Sequence, residues 1–253
     1  MRPKETPNDP GLVVGLTPVL AALKARGKDA KDLWVAKTRK GNPDLTAILA
    51  RASELKLNVK WVERKDLDLK TDLPHQGVAA RFLPRPSLSL TALLATIDPN
   101  DPALLLILDH LEDPHNLGAL WRTAAALGVK ALIAPKDRAA TLSTTVYKVA
   151  AGGAEALPLI TVVNLNRAIE ELKKRDFWVV GAEGATGQNL WDFTFPRRTA
   201  LLLGSEGQGV SRLLKESADF LVHIPLTGPV TSLNVSAAGA ILMGAYCRGL
   251  GRP

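Results

Sequence analysis

The chain has 253 residues, 46% of them hydrophobic, with 32 Lys+Arg against 25 Asp+Glu and a formal net charge of +7. That length allows one large or two modest buried cores, and no apolar run reaches the length that a membrane-spanning helix needs. Cys247 is the single cysteine, which excludes an intrachain disulfide, a cysteine zinc cluster and a CxxC redox pair.

The first residues, MRPKETPNDPGLVV, lack the apolar core of a signal peptide, so a cytoplasmic protein is expected. Positions 13–83 read as a compact α/β unit: a helix through PVLAALKAR, an apolar DLWVAK, a helix through PDLTAILARASELK, a strand NVKWVE and a final GVAARFL. LPRPSLSLTALLATIDPNDP carries four prolines and reads as a linker with one short helix, capped by Ser87 or Ser89. From residue 103 strands and helices alternate: ALLLIL, a helix from Leu117, VKALIA, a helix near 140–152, LPLITVV, a helix over 166–175, FWVVGA, TALLLG, a helix from Val210, FLVHIP and a last helix from Asn234. Continuous apolar strands separated by helices imply a parallel sheet covered on both faces. The expected fold class is α/β, in two domains.

Charge divides the chain in the same place. Residues 1–97 carry 17 Lys+Arg against 10 Asp+Glu, whereas 98–253 carry 15 against 15. Lys24, Arg26, Lys28, Lys31, Lys37, Arg39 and Lys40 crowd one early stretch, a pattern suited to a nucleic-acid backbone. A solvated, lysine-rich surface is the plainer alternative, and confinement of the excess to one part favours nucleic acid.

Several familiar chemistries are excluded. GSEGQG lacks the Lys-Ser/Thr of a P-loop and the spacing of GxGxxG, and Ser232 has no GxSxG elbow. His110 and His115 are a loop pair without further ligands, so no metal is expected. What remains is a set of polar residues in three segments, DPHNLGALWRTAAALG at 113–128, LLLGSEGQGVSR at 201–212 and HIPLTGPVTSLNVSAAGAILM at 223–243, two of which meet where a strand ends and a helix begins. Locally, Asn116 reads as a helix cap, Glu206 as a first-turn acid, Ser232 or Asn234 as a cap, and Ile224 and Leu233 as core. Arg122 is a lone charge in a helix of Leu, Ala and Gly, where burial would demand a partner.

DPHNLGALWRTA, LLLGSEGQGVSR and IPLTGPVTSLNVSAAGA resemble the three motifs of the SpoU or TrmH family, SPOUT-class methyltransferases that move a methyl group from S-adenosylmethionine to a ribose 2′-hydroxyl of RNA. APKDRAATLSTTVYKVAAGGAEALPLITVVNL is similar to the branch acting on a guanosine of large-subunit ribosomal RNA. GLTPVLAALKA and HQGVAARF resemble that branch's L30e-like, RNA-binding amino-terminal domain. The resemblance implies a tail at 1–12, an L30e-like domain at 13–84, a linker at 85–102 and a catalytic domain at 103–253, with a deep trefoil knot from about Leu201. It implies S-adenosylmethionine in a site lined by Gly204, Ile224 and Leu233, with Leu203 and Leu226 beside them. It also implies an active site of Arg122, Asn116, Glu206, Ser232 and Asn234. Ribosomal RNA is the implied partner, no metal or membrane is involved, and a homodimer is implied in which Arg122 faces the other subunit's cofactor pocket. Rival readings are the same reaction on transfer RNA or another ribosomal site, including a resistance modification, and a non-catalytic RNA-binding assembly factor.

Overall fold

The computed structural model describes residues 11–39, 41–71, 74–83, 88–137, 144–184, 187–205 and 207–251. In chain order the elements are β1 Leu12–Val14, α1 Leu16–Arg26, β2 Ala30–Ala36, α2 Pro43–Glu54, β3 Val59–Val62, α3 Arg64–Asp68, β4 Val78–Phe82, α4 Leu90–Ala95, β5 Ala103–Leu108 and α5 Pro114–Ala126. They continue with β6 Ala131–Pro135, α6 Thr144–Ala150, α7 Gly153–Ala156, β7 Leu159–Val162, α8 Leu165–Lys173, β8 Trp178–Ala182, β9 Gln188–Asn189, β10 Arg198–Leu203, α9 Arg212–Ser217, β11 Phe220–His223 and α10 Val235–Gly249. The chain forms two compact units, one from residues up to 86 with 142–156, the other from 87–141 and 157 onward. No helix among the described residues is long and apolar enough to cross a membrane.

The first unit is built on a four-stranded sheet in the order β1-β4-β2-β3, antiparallel except for the β2–β3 pair. Successive β2 side chains point to opposite faces. Leu33 and Val35 enter a core with Val19, Leu23, Leu45 and Ile48 of α1 and α2, and Trp34 and Ala36 pack with Leu67 of α3. Burial on both faces explains why DLWVAK reads as continuous rather than alternating. Asn42 caps α2 by accepting from the Leu45 amide at 2.8 Å, with Pro43 in the first helical turn. Gly15 gives α1 no side-chain cap; Gln76 Oε1 accepts from Leu16 N at 3.1 Å instead. His75 Nδ1 in turn accepts from Gly77 N, so HQG is a structural turn that starts α1 from 60 residues away.

The helix expected near 140–152 is α6 followed by α7, grouped with the first unit; residues 138–143 lie outside the described ones. Glu155 of α7 pairs with Arg26 of α1 at 2.7 Å, the two side chains only 3% and 9% exposed. Gly152 lets α1 approach, since a β-carbon there would lie 2.6 Å from Ala21 Cβ.

The second unit holds a seven-stranded sheet in the order β7-β6-β5-β10-β8-β11-β9, every neighbouring pair parallel. β5 is buried along its whole length, as a strand covered on both faces must be. The segment read as a linker contributes α4, capped by Ser89 at 3.1 Å, with Leu90, Leu93, Leu94 and Ile97 in this unit's core. Three expected helix starts move. α5 begins at Pro114, three residues before Leu117, because Asp113 caps it and proline suits the first turn; α8 begins at Leu165 behind the cap Asn164; and α9 begins at Arg212, after Val210 has entered the core. Among the described residues no helix separates β8 from β10. The chain passes through the two-residue strand β9 on the far edge before returning to pair with β8.

Candidate active site

β5 sends its chain to β6 on one side and β10 sends its chain through α9 to β11 on the other, so the order reverses between them. Ligands of open α/β sheets bind at the carboxyl ends of strands at such a point. Here Asp109 N donates to Leu203 O at 2.8 Å, and the turn after β10 begins at Gly204. A β-carbon on Gly204 would lie 1.9 Å from the Gly209 carbonyl carbon and 2.1 Å from Val210 N, so only glycine fits. Gly207 and Gly209 take φ of +84° and +66°, which closes the turn through Gly209 N donating to Ser205 O at 2.9 Å.

The turn is one wall of a cavity of about 790 Å³ at the ends of β8, β10 and β11. All five expected cofactor residues, Leu203, Gly204, Ile224, Leu226 and Leu233, line it, and so do Ser232 and Asn234. Ile224 and Leu233 are therefore cavity wall, and Leu226 and Leu233 are exposed.

Asn116 is 6% exposed and does not cap its helix; Asp113 does, accepting from His115 N at 2.9 Å. Asn116 instead accepts from Asn234 Nδ2 through its Oδ1 at 2.8 Å, joining α5 to the start of α10. Asn234, not Ser232, caps α10, its Oδ1 accepting from Ser236 N at 2.8 Å. Arg122 is exposed and has no hydrogen-bond or ion-pair partner among the described residues, so its charge needs no buried counterpart. It is not among the residues lining the cavity. Glu206 lies outside the described residues.

Residues 103–244 match the SpoU rRNA Methylase family, and residues 12–87 match the family described as RNA 2'-O ribose methyltransferase substrate binding. The chain belongs to the SpoU rRNA methylase family. It is 41% identical to the 23S rRNA (guanosine-2'-O-)-methyltransferase RlmB of Pseudomonas putida over 91% of this chain and 93% of that protein. Identity to the protein of the same name from Bordetella pertussis is also 41%, covering 92% of this chain and 94% of the relative. The AdoMet-bound rRNA methyltransferase from Sinorhizobium meliloti aligns with a TM-score of 0.73 at 25% identity, over 95% of this chain and 87% of that one.

Two acids of this SpoU chain were missed in its sequence. Glu183, just after β8, lines the cavity and pairs with Lys215 of α9. Asp109, 1% exposed, accepts from Ser211 N at 2.8 Å and so ties the end of β5 to the glycine turn. The signal available for both was position, an acid immediately after an apolar strand, where a parallel sheet places its site. Among the described residues, no group of three or more His, Cys, Asp or Glu could hold a metal ion.

Proposed function

We propose that this chain methylates the ribose 2′-hydroxyl of a guanosine in 23S ribosomal RNA, taking the methyl group from S-adenosylmethionine, and that it acts in the cytoplasm as a homodimer. What carries the reading is identity of 41% along 91% of the chain to a protein named for that reaction, joined to a strand-end cavity walled by the expected cofactor residues. RNA binding is assigned to the domain at 13–84, methyl transfer to 103–253, with 85–102 between them; beyond Leu201 the catalytic chain threads the family's trefoil knot.

The residues present fit the cofactor. A cavity of about 790 Å³ is within the range of small-molecule sites. Leu203, Ile224, Leu226 and Leu233 offer apolar surface to an adenine ring, the main chain at Gly204 allows close approach, and Glu183 offers a carboxylate to hydroxyl groups. When bound, S-adenosylmethionine supplies an electrophilic methyl group on a sulfonium.

The protein's part is alignment and charge. In-line transfer to a held hydroxyl gains most from orientation. Arg122, through its guanidinium, binds the target phosphate and lowers the cost of the developing alkoxide. Its exposed guanidinium, without a partner among the described residues, is available for that contact, made at the cofactor pocket of the other subunit. Ser232 and Asn234 position the ribose, Asn116 holds Asn234, and Glu206 supports the arrangement.

The test is methyl transfer from labelled S-adenosylmethionine to unmodified large-subunit RNA and, separately, to transfer RNA, with mass mapping of the product. The expected result is 2′-O-methylguanosine in ribosomal RNA alone, abolished by Arg122→Ala while cofactor affinity is kept. Label in transfer RNA would move the protein to the sister activity. An unchanged rate in Arg122→Ala would remove the role given to that residue.

A further inference from the structure

A cleft of about 300 Å³ opens beside the glycine turn, lined by His110, Glu112, Asp113, Asn116, Ser205 and Gln208 among others. It joins the cofactor cavity in two ways. Ser205 and Gln208 line both, and Asn116, in the cleft, accepts from Asn234, which lines the cavity. A nucleoside held at Ser232 and Asn234 by its ribose has this cleft as the next space for its base.

The charge of the cleft is the opposite of what an RNA backbone needs. Glu112 and Asp113 line it, and no lysine or arginine does among the described residues. Phosphate is repelled there, whereas a group offering N–H donors is attracted. The two acids differ in what they are free to do. Asp113 is committed to the cap of α5, accepting from His115 N at 2.9 Å. Glu112 is exposed, and its carboxylate has no hydrogen-bond or ion-pair partner among the described residues. Its backbone is nevertheless held between Leu111, 5% exposed, and the Asp113 cap, so the carboxylate is presented from an anchored loop. The rest of the lining suits a base. The Gln208 amide is likewise exposed and without a partner among the described residues, and it can both donate and accept. His110, held through Nδ1 by Asp109 with its side chain 38% exposed, offers a flat ring of the kind on which an unstacked base lies.

Of the four bases, guanine alone presents two adjacent N–H donors, N1–H and the 2-amino group, on its Watson–Crick edge. An ionised carboxylate accepts through both oxygens and matches that pair. Adenine and cytosine set an acceptor beside their amino group, and uracil flanks its single N–H with carbonyls. Resting on the guanosine reading above, we propose that this cleft receives the target base and that Glu112 selects guanine, its two oxygens accepting from N1–H and the 2-amino group. The Gln208 amide supplies a donor for O6, which a carboxylate cannot.

The test replaces single groups of the base. Once the methylated guanosine is mapped, large-subunit RNA fragments are assembled with guanosine, inosine (which lacks the 2-amino group) or adenosine at that position, and kcat/KM is measured with the full chain. The wild type is expected to prefer guanosine to inosine by about 10–100-fold, the worth of one hydrogen bond to a charged group, and to discriminate further against adenosine. Glu112→Gln and Glu112→Ala should lose more on guanosine than on inosine, so that the preference falls toward one, with calorimetric affinity for S-adenosylmethionine unchanged. A purely structural loss lowers both substrates alike and leaves the ratio intact. A ratio that keeps its wild-type value in both variants, or a wild type indifferent to the three bases, overturns the inference alone. A wild-type chain that methylates no RNA, or methylates a nucleotide other than guanosine, overturns the reading beneath it as well.

Discussion

At Gly204 a single methyl group separates a working turn from a broken one. The added carbon would meet main chain of Gly209 and Val210, not a flexible side-chain end, so the whole turn must shift. Overpacking of that kind costs about 1–3 kcal/mol. The displaced atoms form the cavity wall, so the cost should appear in binding as well as in stability. Gly204→Ala is expected to weaken S-adenosylmethionine binding by about tenfold, the equivalent of roughly 1.4 kcal/mol, and to lower the melting temperature; calorimetric titration and a thermal scan check both. Gly207 is the contrasting case. Nothing lies within 4 Å of a β-carbon there, and its constraint is the positive φ alone. The same scale shows why Asn116 misled as a sequence feature. Its neighbours describe a cap, but Asp113 performs that service and Asn116 is turned to Asn234.

Among the elements, α7 depends most on one contact. It has four residues, too few to hold as an isolated helix, and Glu155 carries its buried charge into the first unit's core. Arg26 answers with two hydrogen bonds to that carboxylate, a third to Leu83 O, and a cation–π contact over Phe82. Removing one partner of a buried pair leaves an uncompensated charge and typically costs about 3–5 kcal/mol. Arg26→Met should therefore destabilise the chain by that amount in urea unfolding. The double variant Arg26→Met/Glu155→Leu should recover most of the loss, because an apolar pair of similar size replaces the charged one. The packing of α5 on α10 depends on Gly239 in a comparable way, since a β-carbon there would lie 2.4 Å from Leu120 Cδ2 and 3.1 Å from Leu203 Cδ1. Close helix approach at Gly239 thus also seats the last cavity-lining residue of β10.

For the molecule as a whole, the asymmetry of charge sets the expected behaviour toward RNA. An excess of 17 basic over 10 acidic residues in positions 1–97, against an even balance beyond them, concentrates the long-range attraction in the first part of the chain. Each phosphate neutralised releases counterions, so RNA affinity should fall linearly on a double-logarithmic plot against salt, by orders of magnitude between about 50 and 200 mM. Affinity for S-adenosylmethionine, read in parallel by calorimetry, should change far less because its cavity is lined mainly by apolar and neutral groups. Equal salt dependence for the two ligands would contradict the division of labour between the parts.

Much of this architecture was legible before any coordinates. Apolar runs such as ALLLIL and TALLLG could only be buried strands of a parallel sheet, and the turns after them could only be its binding edge. Ser89 declared its helix by local hydrogen bonding, and Gly204, Ile224, Leu226 and Leu233 were named from motif and line the cavity. Local chemistry determines local structure, and a motif is local. What the tertiary structure alone decided is who meets whom over distance: Asn116 with Asn234, 118 residues apart; Asp109 with Ser211, 102 apart; and Glu155 of α7 with Arg26 of α1, 129 apart. The direct pairing of β8 with β10, with an edge strand between them in the chain, belongs to the same class. Such contacts leave no period or cap to read, because their energy is realised only once both ends are brought together and the entropy of closing the loop has been overcome.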